Sequence, residues 1–547
     1  MARLPETGRI RSVQVHLVGS GAELDENAAA AEIYPSGRRA FGEGTGNRIS
    51  ICSVDGLPTS LVLERPAYSN DQIYVAENDG TVLITDFFGA ALEWLPSGRR
   101  SVGDDQLVDL LLYRTVPGAG TLLEHVSRVG QGDRLEWRRG ASWVRQVQQL
   151  DRPPEAPIPE WQVIGRLHDA LAAATRERRP GVDANLFSGG VDSTLLQHYL
   201  GADVQAVTVT IDSPEFAPER TYAAAARGLL AADGLELAYR EDEYRPRLHE
   251  TIRVLRLPPH HLQTVSIDAG YASPHECYYT AQFADALFGL GFAGHAQRAW
   301  RMRGAAPLGA VTRRVPGPAG RKARTLQATV QSLRVPAGRL NSYAQRFAVY
   351  TELPVLAEMV GAEAVAARLQ ARLDHVLERL ASSAPEESGL DANLELGHWL
   401  DYLCDDTVTL WGQLALGRGK KLVAPFTHPE VVRASRAIPV STRYARRGTA
   451  KYWLKRLLQR ELPSYPIRQP KYSSGLPFAR YYRSGPLAHA LRDYDRPSFV
   501  PPALWQMLDE RPGWLTWTVL TYLIWDAEVR ADVQGTARST MQRHYPA

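Results

Sequence analysis

A glycine-containing segment in the middle of the chain carries the clearest chemical signal. Residues 186–194 read LFSGGVDST, and they join an apolar strand-like run to a helical pattern. The two adjacent glycines let backbone amides approach an anion closely, and the first turn of a helix adds unpaired N–H groups. The hydroxyl groups of Ser188 and Ser193 can donate further hydrogen bonds. Asp192 would repel a bare phosphate, so the segment predicts a site for pyrophosphate bound together with Mg²⁺.

A parallel α/β arrangement would position this segment. The pattern predicts a buried strand at residues 184–187, a helix at 193–200 and a second strand at 204–211. Apolar residues at helical spacing predict another helix before them, at residues 163–174. Strands that alternate with helices are typical of a parallel sheet with helical crossovers. From about residue 391 the pattern is mostly helical.

The first 150 residues show a different pattern. Short runs rich in β-branched residues, among them TVLITDFF at residues 81–88, are separated by turn signals such as NDG at residues 78–80. These runs predict a β-rich domain over residues 1–150. Residues 151–160, DRPPEAPIPE, contain four prolines, which excludes a regular helix or a central strand and predicts a linker. Residues 161–547 then form the α/β domain.

The composition is that of an ordinary globular protein, with 547 residues, of which 44% are hydrophobic and 22% charged. The net charge of +3 argues against general nucleic-acid binding. Three cysteines are too few for a disulfide framework, and no apolar leader segment begins the sequence, so we expect a cytoplasmic protein. The most apolar late stretch, residues 514–525, is too short to cross a bilayer and predicts a buried helix. Neither a membrane nor a nucleic acid is therefore an expected partner.

One segment has an unusual charge balance. No acidic residue occurs between Asp285 and Glu352, whereas nine arginines and lysines fall within residues 301–340. Glycine and proline are frequent there, which is typical of a solvated loop. The charge instead favours a basic lid or a docking surface for an anionic ligand or an acidic peptide. Both interpretations stay open from the sequence.

Several further motifs accompany the SGGVDS string. They are ADALFG at residues 284–289, LCDD at 403–406, APF at 424–426, KYWLK at 451–455, LP at 462–463, RQPK at 468–471 and GLPF at 475–478. In this order they resemble the asparagine synthetase class B superfamily, which includes glutamine-hydrolysing asparagine synthetases, β-lactam synthetases and lasso-peptide cyclases. The resemblance spans nearly the whole chain.

The resemblance implies a two-domain α/β fold and an ATP-dependent reaction. An Ntn-hydrolase-like β-rich sandwich would precede an ATP pyrophosphatase α/β domain with a mostly helical tail. ATP and Mg²⁺ would be required, because members of the superfamily adenylate a carboxylate, release pyrophosphate and let an amine displace AMP. Carried over residue by residue, the resemblance assigns pyrophosphate binding to Ser188, Gly189, Gly190 and Ser193, adenine contacts to Leu186 and Val209, Mg²⁺ binding to Asp192 and Asp285, and the catalytic cations to Lys471, near the α-phosphate, and Lys451.

Two departures from the family pattern concern the amine. Glutamine-using members need a cysteine directly after the initiator methionine, whose thiol is the nucleophile, whereas this chain has Ala2. We therefore expect no glutaminase activity. Gln282 stands where asparagine synthetases have a glutamate and β-lactam synthetases a tyrosine, and an amide cannot act as a general base. The residues that could replace it, each more often structural than catalytic, are Asp268, His275, Glu276, Tyr278 and Tyr279.

These features favour an amide synthetase that joins a carboxylate to an amine supplied by a source other than glutamine. Within that class we favour an intramolecular macrolactam on a ribosomal peptide, as in lasso-peptide cyclases, because of Ala2, Gln282 and the basic segment. A leader-peptide-binding protein or a protease would then be a partner. A small-molecule amide ligase or a β-lactam-synthetase-like cyclase is the first alternative. A nucleotide-binding pseudoenzyme that acts as a scaffold is the second.

Overall fold

The fold is taken from a computed structural model of the chain. It describes residues 12–16, 31–33, 47–54, 57–67, 69–148, 158–289, 292–307, 317–347, 349–380, 388–403, 407–468 and 476–531. Ala2 and Lys471, both singled out by the sequence, lie outside the described residues, as do residues 151–157 of the predicted linker.

Two sheets form the amino-terminal part, which confirms the prediction of a β-rich unit. The strands are β1 (Ser12–His16), β2 (Ala31–Ile33), β3 (Arg48–Val54), β4 (Leu57–Arg65), β5 (Tyr74–Asn78), β6 (Thr81–Thr85), β7 (Val126–Arg128), β8 (Asp133–Arg138) and β9 (Val144–Val147). They are arranged as a four-stranded sheet, β1-β6-β5-β7, and a five-stranded sheet, β2-β3-β4-β8-β9. Residues such as Ile49, Leu63, Val75, Ile84 and Trp137 fill the space between the sheets.

Two helices, α1 (Phe88–Trp94) and α2 (Asp104–Tyr113), cover the other face of the four-stranded sheet. The predicted strand at residues 81–88 is therefore too long, because β6 ends at Thr85 and α1 begins at Phe88. The Thr85 hydroxyl accepts a hydrogen bond from the Phe87 amide (3.2 Å), which turns the chain out of the sheet. The predicted turn at residues 78–80 is confirmed, since Asp79 (φ 49°) and Gly80 (φ 79°) both adopt the left-handed conformation that a tight hairpin needs.

A five-stranded parallel sheet forms the core of the second part. Its strands are β10 (Asp183–Leu186), β11 (Gln205–Ile211), β12 (Gly234–Tyr239), β13 (Cys277–Thr280) and β14 (Lys421–Val423), in the order β12-β11-β10-β13-β14. The associated helices are α3 (Glu160–Ala174), α4 (Val191–Leu200), α5 (Ala217–Leu229), α6 (Tyr244–Leu255), α7 (Thr264–Gly270) and α8 (Ala284–Phe288). The predicted parallel α/β sheet is thus confirmed, and its short strand β14 lies in the region whose pattern is mostly helical.

The order of the strands places a crevice beside β10. From β10 the chain runs outward through β11 to β12, and the other half of the sheet, β13 and β14, lies on the opposite side of β10. In open parallel sheets, ligands bind at the carboxyl ends of the strands where the order reverses in this way. The segment of residues 186–194 and the segment that contains Asp285 follow β10 and β13 directly, so both lie at this edge.

Helices dominate the rest of the chain. They are α9 (Phe292–Arg301), α10 (Pro318–Leu333), α11 (Tyr343–Phe347), α12 (Leu353–Val360), α13 (Ala362–Leu377), α14 (Leu390–Leu403), α15 (Thr407–Gly417), α16 (Pro429–Arg436), α17 (Val440–Arg443), α18 (Tyr452–Glu461), α19 (Phe478–Arg483), α20 (Pro502–Glu510) and α21 (Trp514–Trp525), with a short hairpin of β15 (Ala445–Arg446) and β16 (Thr449–Ala450) before α18. A loop is the wrong interpretation for residues 318–333 of the basic segment, because Val330 and Leu333 anchor α10 in a hydrophobic cluster.

The apolar stretch at residues 514–525 is a buried helix, as predicted. Within α21 the side chains of Trp517 and Trp525 are fully buried, and their indole N–H groups donate to the backbone carbonyls of Pro259 (2.9 Å) and Arg256 (2.7 Å). In the part of the chain that the structure describes, no helix is long and apolar enough to cross a membrane.

Extensive contacts join the two parts. The amide of Gln413 on α15 accepts a hydrogen bond from the Phe88 N–H (3.0 Å) and donates one to the carbonyl of Asp86 (2.8 Å). Arg379, which follows α13, forms a fully buried ion pair with Asp133 on β8 (2.9 Å). Strand β9 ends at Val147 and α3 begins at Glu160. The division into domains at residues 151–160 stays a prediction.

Candidate active site

The turn after β10 is built around Gly189. Its φ of +72° is a conformation that glycine adopts without strain, and a Cβ at this position would lie only 2.7 Å from the Cα of Ala223. The Gly189 carbonyl accepts hydrogen bonds from the hydroxyls of Tyr465 (2.8 Å) and Thr194 (3.0 Å). Tyr465 was not predicted, because nothing in the local sequence links it to a residue 276 positions away. The turn is thus held in one conformation from two sides.

The two predicted serines fix the rest of the turn. The Ser193 hydroxyl donates to the carbonyl of Gly190 (3.2 Å), and the Ser188 amide donates to the Ser193 hydroxyl (3.3 Å). The two hydroxyl oxygens are 3.1 Å apart. Helix α4 begins at Val191 without a side-chain cap, so the N–H groups of its first turn are open to an anion. This arrangement suits the phosphate oxygens of a nucleotide or pyrophosphate.

Asp192 and Asp285, the two predicted metal ligands, lie together. The ammonium group of Lys451 contacts Oδ2 of Asp192 and Oδ1 of Asp285 at the same time. The other carboxylate oxygen of Asp192, Oδ1, is buried and has no hydrogen-bond partner among the described residues. A buried, unpaired carboxylate oxygen is costly unless a ligand satisfies it. The three residues that the sequence placed in the nucleotide site therefore meet at one point.

The donor set fits Mg²⁺. Mg²⁺ in nucleotide sites is held by one or two carboxylates, and phosphate oxygens and water complete its octahedral shell. Asp192 and Asp285 supply two carboxylates next to the predicted phosphate turn. Within the described ranges, no group of three or more histidine, cysteine, aspartate or glutamate side chains could hold a metal ion. The residues present thus match a metal that is shared with a phosphate ligand, and they do not match an all-protein metal site.

Lys451 is held as a cation at this point. It directly follows β16 and precedes α18, with a left-handed φ of +54° that directs the chain into the site. Burial disfavours the charged form of its side chain, but the carboxylates of Asp192 and Asp285 outweigh burial and raise the pKa of Lys451. One turn later, burial and the charge of Lys451 lower the pKa of Lys455. Lys451 therefore keeps its positive charge, while its neighbour is less strongly basic.

Helix α8, which carries Asp285, is positioned by buried groups. Phe283, directly before α8, adopts a φ of +75°, which a bulky residue rarely does. Burial lowers the pKa of His398 to about 4, so its ring is neutral near pH 7. The ring nitrogen Nδ1 of His398 lies 3.1 Å from the carbonyl oxygen of Ala286, so it must carry the proton and donate. The Ser435 hydroxyl donates to the next carbonyl, that of Leu287 (3.1 Å).

Leu186 and Val209, the predicted adenine contacts, face a third residue that the sequence did not indicate. A Cβ built on Gly270, at the end of α7, would lie 3.0 Å from Val209 Cγ2 and 3.2 Å from Leu186 Cδ2. Any larger side chain at Gly270 would therefore crowd both residues. Leu186 and Val209 are half-buried and also pack against the hydrophobic cluster around Tyr271 and Leu414, so they serve the core as well.

The five residues considered as replacements for the missing base all have structural partners. Three of them are engaged as follows: Asp268 pairs with Arg418 (2.7 Å), Tyr278 contacts the Ser273 hydroxyl (2.6 Å), and His275 contacts the Gln205 side chain (2.9 Å). Glu276, which precedes β13, pairs with Arg179 (3.4 Å), and Tyr279 is buried in the core. His275 and Glu276 lie at the amino end of β13, away from the edge that carries the site. Gln282 is at the site edge, where its backbone N–H donates to the Thr280 hydroxyl (3.2 Å).

The family landmarks in the carboxyl-terminal part are only partly described. Residues 424–426 follow β14 directly and lie at the same edge of the sheet as the phosphate turn. Lys471 and the adjoining residues 469–475 lie outside the described residues, as do residues 404–406. The assignment of Lys471 to the α-phosphate is therefore carried by the resemblance alone.

Comparisons with known proteins give matches to a single family. A family model for asparagine synthase matches residues 162–526, which is more than half of the chain. Proteins described as asparagine synthetase [glutamine-hydrolyzing] from Mycobacterium bovis and Mycobacterium tuberculosis are each 25% identical to it over 155 residues. The match covers 26% of this chain and 24% of each relative, so the chain spans about a quarter of the length of the curated relatives it matches.

Proposed function

Because the chain belongs to the asparagine synthase family, we propose that it is an ATP- and Mg²⁺-dependent amide-bond synthetase that releases pyrophosphate and then AMP. The observation that carries the proposal is the meeting of Asp192, Asp285 and Lys451 beside the Gly189 turn. A metal-bound triphosphate needs carboxylates for the metal, and it needs a cation and unpaired N–H groups at the start of a helix for the phosphates. This site has all of these groups.

The residues divide the binding of ATP between them. Ser188, Gly190 and the first turn of α4 hold the β- and γ-phosphates, which leave as pyrophosphate. Leu186 and Val209 contact the adenine ring. Asp192 and Asp285 would hold Mg²⁺, which neutralises charge on the phosphates and helps pyrophosphate to leave. Helix α8 and the hairpin before Lys451 keep the carboxylates and the cation at a constant distance from the turn.

Two bond exchanges follow from this arrangement. A substrate carboxylate oxygen attacks the α-phosphorus of ATP, and the bond from that phosphorus to the bridging oxygen of pyrophosphate breaks. The amine then attacks the carbonyl carbon of the acyl-adenylate, and AMP leaves with the carboxylate oxygen. Negative charge increases around phosphorus in the first step. The fixed cation of Lys451 stabilises it, and the resemblance assigns the same role to Lys471. Holding the amine close to the acyl carbon supplies much of the rate in the second step.

We also propose that the amine does not come from glutamine. Ala2 lacks the thiol that glutamine hydrolysis requires, and Gln282 cannot take the proton of an ammonium acceptor. The five other residues that could do so are engaged in structural contacts. An amine on the same molecule as the carboxylate, held in its neutral form, meets these constraints. A peptide that closes into a macrolactam is such a substrate, and a leader-peptide-binding protein or a protease could deliver it.

Product analysis tests this proposal. The enzyme is incubated with ATP and Mg²⁺ and with peptides that carry an internal aspartate or glutamate and a free amino terminus, or with aspartate plus ammonium or glutamine. We expect AMP release together with a peptide product that has lost the mass of one water. Efficient formation of asparagine from aspartate, with either nitrogen source, would overturn the peptide proposal. An Asp203→Ala variant controls for the effects of mutation and purification. Asp203 is exposed and lies beyond the far end of α4.

A further inference from the structure

Helices α9 and α10 form an outer layer whose sequence contains no acid. Between Asp285 and Glu352 there are eleven arginines and lysines and no aspartate or glutamate. A stretch of that length would ordinarily contain both signs of charge, since about a quarter of residues are charged in a typical protein. Helices α9 and α10 pack against each other, so their exposed cations lie in one layer, which we call the basic face.

The cations of the basic face point to solvent. Arg298 and Arg301 on α9 are exposed, as are Arg321 and Lys322 on α10. None of the four has a carboxylate within ion-pair distance in the described parts of the chain. The layer beneath behaves differently, because Arg436 and Arg443 are buried and both pair with Glu395 (3.4 and 3.1 Å). The unpaired charges are thus a property of the outer face and not of this region as a whole.

The basic face is fixed to the active site. Ala296 and Ala299 of α9 pack with Val330 and Leu333 of α10 in a cluster that also contains Tyr444. The backbone of Tyr444 lies against Gly289, the residue that ends α8, where a Cβ would be 2.6 Å from the Tyr444 Cα.

A second contact reaches the catalytic cation. The guanidinium group of Arg301 lies against the hairpin turn of β15 and β16, 3.7 Å from where a Cβ on Gly448 would be. Three residues later the chain reaches Lys451, which contacts both site carboxylates. A ligand on the basic face would therefore adjoin the elements that carry Asp285 and Lys451.

We propose that the basic face is a docking surface for an acidic segment of the peptide substrate, which presents the reacting carboxylate to the site. This inference rests on the proposed function, since it names what the synthetase binds outside its nucleotide site. Charge complementarity determines the choice of occupant: a surface of unpaired arginines and lysines attracts an anionic chain and aligns it before reaction.

The surroundings favour a peptide over a nucleic acid. Single-stranded nucleic acids are held by basic grooves in which exposed aromatic rings stack on the bases. The aromatic side chain between the basic residues of α9, Trp300, is half-buried and is covered by Arg303, whose guanidinium carbon lies 5.2 Å from the ring centre. Backbone and carboxylate recognition by arginine needs no such ring. An acidic peptide is the anion that this face fits.

Fluorescence anisotropy with a labelled oligoglutamate peptide tests the proposal. At low salt we expect the full-length protein to bind this peptide, and not the oligoglutamine peptide of equal length. Arg321→Glu with Lys322→Glu should weaken binding about tenfold or more, and raising the salt should weaken wild-type binding. The matched control, Arg166→Glu with Arg511→Glu, reverses two exposed arginines elsewhere and should bind within about twofold of wild type.

Each other outcome overturns the docking surface. The docking proposal is wrong if the wild-type protein does not bind the peptide. It is also wrong if the control variant loses as much affinity as Arg321→Glu with Lys322→Glu, which we call the α10 variant. A labelled oligonucleotide that binds more tightly than the peptide would contradict it as well. Should the α10 variant fail to fold, Arg298→Gln with Arg301→Gln removes charge from α9 without reversing it, and the same criterion applies.

Failure of the docking proposal can be distinguished from failure of the proposed function by measuring ATP binding as well. Binding of a fluorescent ATP analogue should be unchanged in the α10 variant and weakened in Asp192→Ala, whereas Asp192→Ala should still bind oligoglutamate. Loss of the peptide result alone overturns the docking surface and leaves the synthetase assignment intact. Loss of the ATP result alone overturns the synthetase assignment, and the basic face then remains only a binding surface for an acidic peptide, with no substrate assigned to it.

Discussion

At the scale of single residues, the site depends on a few contacts between distant positions. The glycine turn after β10 could be predicted, because its glycines, serines and aspartate all lie within residues 188–193. The role of Lys451 as the link between Asp192 and Asp285 could not be read from the local pattern, since its partners are 259 and 166 positions away. Tyr465 was missed for the same reason, as no local pattern joins it to Gly189.

Gly189 offers a direct test of the turn. We expect Gly189→Ala to abolish ATP binding and to lower stability by more than backbone strain alone, because its Cβ would contact the backbone of Ala223 at 2.7 Å. Gly181→Ala is the matched control: it has a similar φ of +74° but nothing within 4 Å of its Cβ, and should cost about 1–2 kcal/mol. Thermal unfolding and nucleotide binding measure both effects. Equal losses in the two variants would contradict the close approach at Gly189.

At the scale of elements, three helices begin at the site. Asp192 lies in the first turn of α4, Asp285 in that of α8, and Lys451 directly before α18. The far ends of α4 and α18 are joined as well, where Glu461 contacts His198 (3.4 Å). Strands β10 and β11 were predictable from their apolar runs. Strand β14 was not, because three residues are too few to show a period and its place is set by pairing with β13.

Helix α13 carries a half-buried histidine, His375, that makes stability depend on pH. Burial, followed by the charges of Arg379 and neighbouring arginines, lowers the pKa of His375 to about 3. Below about pH 6.5 the unfolded chain binds a proton at this histidine, whereas the folded chain does not. The contribution of His375 to the free energy of unfolding is therefore complete above that pH and is lost as pH falls toward 3. The slope for one such group is about 1.4 kcal/mol per pH unit.

We expect His375→Gln to reduce this slope by the contribution of one group. Urea denaturation at pH 7, 6 and 5 measures it. His125→Gln is the control, because His125 is exposed. A slope that is the same in wild type and His375→Gln would contradict a lowered pKa for His375 in the folded protein.

At the scale of the whole molecule, the amino-terminal part is joined to the synthetase part through buried polar contacts. Composition and proline content predicted two units with different patterns, and the structure has a two-sheet unit and a parallel-sheet unit. Nothing in the sequence indicated how closely they associate, since a buried pair such as Arg379 and Asp133 joins residues 246 positions apart. We therefore expect the amino-terminal part to be needed for folding.

The Arg379–Asp133 pair tests this association. Both side chains are 1% exposed, so we expect Arg379→Met to lower the free energy of unfolding by about 3–5 kcal/mol, because it leaves Asp133 with less compensation in a buried setting. The control is Arg492, an exposed residue that pairs with the half-buried Asp509, and Arg492→Met should cost less than about 1 kcal/mol. Urea denaturation measures both. Similar small losses would mean that the two parts are not coupled through this pair.

The central claim is that the chain adenylates a carboxylate with the site around Asp192. Substrate-dependent exchange of pyrophosphate into ATP, measured with Mg²⁺ for wild type, Asp192→Ala and the control Asp203→Ala, tests it most directly. The panel contains aspartate, small β-amino-acid derivatives and peptides with an internal aspartate or glutamate. We predict exchange with the peptides in wild type and Asp203→Ala, and a loss of about 10²-fold or more in Asp192→Ala. Exchange that persists in Asp192→Ala, or its absence from wild type with every member of the panel, would contradict the account.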